Sequence, residues 1–445
     1  MPSPSTAAIA PARRCAYTVL RRVFEQGAYA DEALRAESRE LDARDRALAM
    51  RLAYGAVQRA GTLDHLIASL AERPAGRLDP PLLAALRLGL YELLYLDGAP
   101  DYAVVGDAVE LAKEHARAGH GLVNAVLRRA AREGAGALLG GLSDATPEQA
   151  AVKHSHPEWI ARMWWRELGA EQARALMAAD NEPAELALRA NTLLVDAAAL
   201  AAQLPVKSHG DALVPEALVL EEPFAVHGSP LWQAGAFLAQ SRAAMLVART
   251  LAPQPGERVL DLCAAPGGKS THLAALMGGA GEVVAVERNP RRAAELRRAA
   301  ARLKAASVRV EVADATLPRR AEPPFDRVLV DPPCSGLGTL QARADLRWRA
   351  SPEGVREMAA VQARILDAGA RALRPGGVLV YSTCTISPIE NERLIAAFLD
   401  SHPQFALDGP GGVDAPGGAD ARAPLTTLPH RDRTAGFFIA RMRRG

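Results

Sequence analysis

The spacing of apolar positions changes character along this chain. Up to about residue 140 the apolar period is helical. In "PPLLAALRLGLYELLYLDG", Leu83, Leu86, Leu90 and Leu93 recur at i, i+3, i+7 and i+10, with Pro80 and Pro81 suited to the start and Gly98 to the end. In "DYAVVGDAVELAKEHARAG", Val105, Ala108, Val109 and Ala112 repeat the stripe between Asp101 and Gly119. Such stripes predict the core of a helical bundle. No catalytic cluster accompanies them. The glycine-rich "REGAGALLGGLSDATPEQA" reads as a linker.

Beyond it, "HSHPEWIARMWWRELG" and "EQARALMAADNEP" predict two helices, and "ELALRANTL" and "DALVPEALVLEEP" two short strands. This makes a small α+β segment that ends near Gly228. Its adjacent Trp164 and Trp165 suit base stacking or core packing, and core packing is the reading favoured. From Trp232 onward, strands alternate with helices. The strands are "RVLDLC", "EVVAVER", "VRVEVAD", "DRVLVD" and "GVLVYSTC"; the helices include "NPRRAAELRRAAARLKA" and "SPEGVREMAAVQARILDAGARALRPGG". Repeated βαβ units predict a mostly parallel, doubly wound sheet, whose ligands sit at the carboxyl ends of its strands.

Composition narrows the function classes. The 445 residues are 49% hydrophobic and 23% charged, as in ordinary globular proteins, and suggest several domains. No apolar run approaches a membrane span, and "MPSPSTAAIAPARRCAYTVL" lacks the plan of a secretory leader, so a cytoplasmic protein is expected. Cys15, Cys263, Cys334 and Cys384 form no CxxC pair, which removes zinc-ligand spacing and leaves thiol chemistry. A net charge of +2 means that a nucleic-acid partner needs a local basic patch. Only five of the 53 basic residues are lysine, so Lys269 in a strand-end loop stands out.

The chemistry gathers where the strands end. The first runs into "CAAPGGKST", where Gly267 and Gly268 allow close backbone approach and Ser270 is placed to cap the next helix. The spacing is neither GxGxxG nor a P-loop. The second strand ends at Glu287, where this architecture puts an acid for ribose hydroxyls, and the third at Asp314. Together these read as a site for an adenosine-containing cofactor. The fourth strand ends in Asp331-Pro332-Pro333-Cys334, and the fifth in Cys384. Asp-Pro-Pro followed by an aromatic is the pattern of amino-group methyltransferases; here cysteine takes the aromatic position. If the fourth and fifth strands are neighbours, about 4.8 Å apart, both thiols face one pocket.

The segments "LDLCAAPGGKSTHLA", "LVDPPCSGLGTL" and "LVYSTCTISPIENE" resemble the RNA cytosine-5 methyltransferases of the Sun/NOP2 group. Likewise "VLRRVFEQGAYADEAL", "RLAYGAVQR", "LRLGLYELLYL" and "GLVNAVLRR" resemble a NusB-like RNA-binding domain. The resemblance implies three domains: a NusB-like all-α domain over 1–140, a small α+β RNA-contacting domain over 150–230, and a Rossmann-like methyltransferase domain over 232–445. It implies S-adenosylmethionine as cofactor, held by Cys263, Ala264, Ala265, Pro266, Gly267, Gly268, Lys269, Glu287, Asp314 and Asp331. By the same resemblance Cys384 is the nucleophile and Cys334 the residue that assists release, with Asp331 and Lys269 beside them. Residue types alone do not separate the two thiol roles.

The implied partner is RNA, acted on by a monomer: unassembled small-subunit (16S) ribosomal RNA, with transfer RNA and 23S ribosomal RNA as alternatives. No metal or membrane is implied. An amino-group methyltransferase and a non-catalytic RNA-binding assembly factor stay open as other classes. The chain departs from the family pattern at Glu287, where aspartate is usual, and at "QARADLRW", which keeps Asp345 and Trp348 but carries its basic residue at Arg343. The second departure bears on local RNA contacts. In "TAGFFIARM" the acid often found before Gly-Phe-Phe is missing.

Overall fold

Residues rich in alanine and leucine build helices from Pro11 to Ala179, and among the described residues strands begin only at Ala187. The computed structural model describes residues 9–317, 324–409 and 422–445. The stretch read for a leader begins in residues 1–8, outside the described residues, and is helical from Pro11. Contacts divide the chain into two compact units, Met1–Glu182 with Leu340–Arg349, and Pro183–Thr339 with Ala350–Gly445.

The first unit is helical. Its helix Pro80–Tyr95 was expected to bury one stripe, yet every residue from Ala84 to Glu92 is buried. A helix apolar on nearly all sides becomes the centre of a bundle. Its two buried charges are paired: Arg87 with Asp64 at 2.7 Å, and Glu92 with Arg13 at 2.6 Å. The stretch expected to be a linker instead forms helices Ala135–Gly140 and Pro147–Lys153. Thr146 caps the second by accepting from the Gln149 amide, a local signal that outweighs the glycine content. Trp164 is 1% exposed and packs edge-on against His156, so it is core.

The "QARADLRW" segment is packed within this unit. Ala344 and Trp348 join its core, and the Trp348 indole donates to the Val57 carbonyl at 2.7 Å. The buried Arg347 guanidinium donates to Ser155 O, Asn181 Oδ1 and Asp180 O at 2.9–3.1 Å. The segment therefore has a packing role that its composition did not suggest.

The second unit holds two sheets. The smaller contains β1 (Ala187–Ala190), β2 (Ser208–Gly210), β3 (Ala217–Leu220) and β4 (Phe237–Ala239), antiparallel in the order β2-β3-β1-β4. The edge strand β4 lies beyond Gly228, where this segment was expected to end. The larger sheet contains β5 (Arg258–Leu262), β6 (Glu282–Glu287), β7 (Val308–Val312), β8 (Phe325–Val330), β9 (Leu373–Thr383), β10 (Phe405–Leu407), β11 (Leu425–Thr427) and β12 (Phe437–Arg444).

Its order is β10-β12-β9-β8-β5-β6-β7, with β11 also on β12. The five strands β9-β8-β5-β6-β7 are parallel, as βαβ repeats require, and β12 is antiparallel to β9. The chain moves outward from β5 through β6 and β7, then returns to the other side of β5 as β8. That reversal is a topological switch point, where a crevice opens at the strand ends.

Candidate active site

Strand alternation brings the polar residues to one face. Val259, Leu329, Val378 and Val380 pack into one apolar cluster, while Leu260, Leu262, Val328, Val330, Leu379 and Tyr381 pack into the other. With a side-chain period of two, Asp261, Asp331, Ser382 and Cys384 fall on the first face, at the carboxyl ends of β5, β8 and β9. The neighbour relation of β8 and β9, expected from sequence, is present: Val330 lies opposite Tyr381.

The β5 strand ends in a tight turn. Cys263 has φ +67°, the Ala265–Pro266 peptide is cis, and Gly267 has φ +104°. A Cβ on Gly267 would also lie 3.0 Å from Leu296, so both conformation and space require glycine there. Gly267 is the N-cap of helix Gly268–Leu276, which corrects the expectation for Ser270. The helix starts three residues earlier than expected. Ser270 therefore sits inside the first turn and donates to Asp261 Oδ2 at 2.6 Å. Burial pushes the Asp261 carboxyl up to about 7, against the opposing pull of that hydrogen bond. Its Oδ1 has no hydrogen-bond partner among the described residues.

The same turn is anchored from the smaller sheet. Arg189 on β1, 1% exposed, donates to Gln240 Oε1 at 2.6 Å, to Thr271 Oγ1 at 2.9 Å and to the Gly268 carbonyl. Lys269, the next residue, reaches Asp331 Oδ2 at 2.6 Å, while Ser382 donates to Asp331 Oδ1 at 2.8 Å. Burial alone would lower the Lys269 ammonium, but Asp331 outweighs it and the group is raised. The ammonium also lies 5.3 Å from the centre of the Phe437 ring.

The two thiols meet. Cys334 Sγ lies 3.4 Å from Cys384 Sγ. The Cys334 thiol is pushed well above its usual range, first by its contact with Cys384 and then by burial and the Cys384 charge. Lys269 feels the charge of Cys384 as well as that of Asp331. Behind the thiols a buried polar web holds both loops. Glu390, 0% exposed, accepts from the Ser335 amide at 2.8 Å and Gln362 Nε2 at 3.0 Å, and also bonds the Ser335 hydroxyl. Gln362 also donates to the Pro333 carbonyl at 2.9 Å, and Tyr381 to the Glu390 carbonyl at 2.7 Å. The Gly338 amide donates to the Cys384 carbonyl at 3.0 Å, linking the two loops directly.

The other expected residues divide. Glu287 is buried at the end of β6 and accepts from the Asn289 amide at 2.7 Å. Asp314 is half-buried, and hydrogen bonds from Thr316 hold its carboxyl below the usual range. Burial, then Asp331, pushes Cys263 up to about 12, so this thiol stays protonated and lines the turn. A cavity of about 690 Å³ opens beside the site; Asp261, Ala264, Ala265, Pro266, Gly268, Lys269 and Asp331 line it. Asp261, Ser382, Glu390 and Arg189 escaped the reading from sequence. Asp261 and Arg189 carried a signal, each a charge inside an otherwise apolar strand; Glu390 and Ser382 carried none in spacing.

Comparison with known proteins gives matches along three parts of the chain. Residues 248–443 match the family model described as 16S rRNA methyltransferase RsmB/F, residues 10–132 the NusB family, and residues 156–227 the ferredoxin-like domain of RsmF/B-like methyltransferases. A probable ribosomal RNA small subunit methyltransferase B of Synechocystis is 37% identical, covering 97% of this chain and 99% of that protein. The ribosomal RNA small subunit methyltransferase B of Thermus thermophilus is 38% identical, with 90% and 89% covered. Among solved structures, that of PH0851 superposes with a TM-score of 0.79 at 27% identity, covering 98% of this chain and 99% of that one.

Proposed function

Since the chain belongs to the ribosomal RNA small subunit methyltransferase B family, we propose that it methylates carbon 5 of a cytosine in 16S ribosomal RNA through a covalent cysteine adduct. The observation that carries this reading is the 3.4 Å separation of the Cys334 and Cys384 sulfurs beside the Lys269–Asp331 pair. Amino-group methylation has no use for either thiol.

Carbon 5 of cytosine is a poor nucleophile. A thiolate that adds to carbon 6 moves electron density onto carbon 5 and activates it. Cys384 is assigned that addition by the family resemblance, and the Lys269 ammonium favours its charged form. Cys334 keeps its proton in the resting site, since its contact with Cys384 and the Cys384 charge both hold it there. Bonding of Cys384 to carbon 6 consumes that charge. Cys334 then loses its proton to solvent, takes the proton from methylated carbon 5, and Cys384 leaves as thiolate. Asp331, fixed by Lys269 and Ser382, keeps lone pairs for the cytosine exocyclic amine.

S-adenosylmethionine supplies an electrophilic methyl group when bound. The residues fit it: Gly267 and Gly268 offer backbone, Glu287 an acid for ribose hydroxyls, and Asp261 Oδ1 an unpartnered carboxylate oxygen suited to a cationic ligand. The target base must leave any stack to reach a recessed thiol, which favours unpaired RNA.

The test uses Cys334→Ala with tritiated S-adenosylmethionine and unmodified 16S RNA. A labelled protein–RNA complex should survive denaturing electrophoresis, vanish in Cys334→Ala/Cys384→Ala, and map to one cytosine. Undiminished methyl transfer by Cys384→Ala would sink the covalent mechanism.

A further inference from the structure

The 690 Å³ cavity is not lined by Glu287 or Asp314, two of the acids assigned to the cofactor. Besides Asp261, Lys269 and Asp331, its lining includes Gly268, Leu238 and Gln240 and the cluster of Trp232, His227, Arg298 and Arg302, which makes one arm of it. The walls come from the segment 226–233 that leads into β4, from β4 itself and from helix Pro290–Arg302.

This arm has the make-up of a base-stacking site. The Trp232 and His227 rings stand 4.9 Å apart at 86°, forming an aromatic corner. The Arg302 guanidinium lies 4.3 Å from the Trp232 ring centre and donates to the Trp232 carbonyl at 2.7 Å and to Phe237 O at 3.1 Å, so the indole is fixed in place. Arg298, one turn back on the same helix, is exposed and makes no ion pair among the described residues. Glu295 also lines the arm and keeps its charge local rather than broadly basic. Rigid aromatic faces beside an unpaired arginine are what readers of single-stranded nucleic acid use: a ring to stack on and a cation for phosphate. Lys269 and Asp331, beside which the target base would sit, line the same cavity.

We propose that this arm binds the nucleotide adjoining the target cytosine, with its base stacked at Trp232 and its phosphate on Arg298. The inference rests on the reading of the site as an RNA cytosine methyltransferase. It gives the segment leading into β4 a positioning role: that segment delivers the flanking base, and with it the register of the target.

The experiment compares Trp232→Ala, Trp232→Phe and Arg298→Glu in the full chain. Steady-state methyl transfer to an unmodified 16S transcript is measured with the dissociation constant for S-adenosylmethionine. Trp232→Ala should raise the KM for RNA about tenfold, as loss of one stacked base does, and Trp232→Phe should restore most of it. The exposed Arg298→Glu should raise KM several-fold and flatten its salt dependence by about one phosphate contact. Cofactor affinity should hold in all three. A rise in the cofactor dissociation constant that matches the rise in KM would overturn the proposal, because the arm would then belong to the cofactor. A transcript carrying 4-thiouridine beside the target should crosslink to this arm without cofactor; crosslinks only elsewhere would also overturn it. Crosslinking needs no chemistry at carbon 5. Methylation found at another atom would therefore defeat the reading of the reaction while leaving the stacking site measurable.

Discussion

Lys269 Nζ lies 2.6 Å from Asp331 Oδ2, joining the turn after β5 to the end of β8 across the switch point of the sheet. Both side chains are mostly buried, at 16% and 24% exposure, and Asp331 keeps the Lys269 ammonium charged against burial. Lys269→Met would leave Asp331 with Ser382 as its remaining partner and remove the cation beside Cys384. Methyl transfer should fall by about 100-fold or more, equivalent to about 3 kcal/mol, and the melting temperature should drop by several degrees. Lys269→Arg should not rescue it, because a planar guanidinium is bulkier than an ammonium and cannot take its place. Rates with tritiated cofactor and a thermal melt check both statements.

Cys334 should resist alkylation near neutral pH, because its thiol is held protonated. The leading cause is its contact with Cys384. Cys384→Ala should therefore lower the Cys334 thiol towards the ordinary range and speed its reaction with iodoacetamide several-fold at pH 8. Peptide mapping by mass spectrometry resolves the two sites. An unchanged or slower Cys334 rate in that variant would mean that burial alone sets its proton affinity.

Asp261 makes folding stability depend on pH. Its folded value of about 7 lies above the unfolded value near 4. The folded state thus binds the proton more tightly, and the stability this contributes is full below about pH 4 and lost as pH climbs to about 7. Asp261→Asn has no such term. Chemical denaturation of the full chain without cofactor should show wild type losing stability relative to Asp261→Asn between pH 5 and 8. A constant difference across that range would show that Asp261 stays ionised throughout.

The parallel sheet and the gathering of polar residues at its strand ends were legible because both rest on local patterns. Apolar strands stop at Asp331 and Cys384, and the βαβ rule places those stops in one crevice. The same logic could have found Asp261, since alternation from Val259 puts it on the face of Leu329 and Asp331. Pairings remote in sequence were not legible. Nothing in "PIEN" says that Glu390 will accept from Ser335, 55 residues earlier. Nor does "QARADLRW" reveal that Trp348 donates to Val57. The segment read for RNA contacts turns out to be packed inside the helical unit, because its arginine and tryptophan meet partners that only the tertiary fold supplies. Ser270 misled for a different reason. A serine near a helix start is usually a cap, but Gly267 begins this helix and turns the serine inward to Asp261.

Arg189 extends this point to cofactor affinity. It is fully enclosed, burial lowers its guanidinium to about 9, and its donors go to Gln240, Thr271 and the Gly268 carbonyl. Those acceptors fix the turn to which the proposed function assigns the cofactor, so on that reading Arg189 acts through Gly268 and has a positioning role. Arg189→Met preserves much of the apolar stem but leaves the Gly268 carbonyl and Gln240 without their donor. The dissociation constant for S-adenosylmethionine should rise about tenfold, as loss of a charge-assisted hydrogen bond implies, with a smaller change in KM for RNA. Arg189→Lys should recover little, since one ammonium on a shorter reach cannot serve three acceptors in a fork. Calorimetric titration of cofactor, read beside the melting temperature, separates the outcomes. A lower melting temperature with unaltered cofactor affinity would mean that Arg189 supports the fold alone, and that the turn keeps its shape without it.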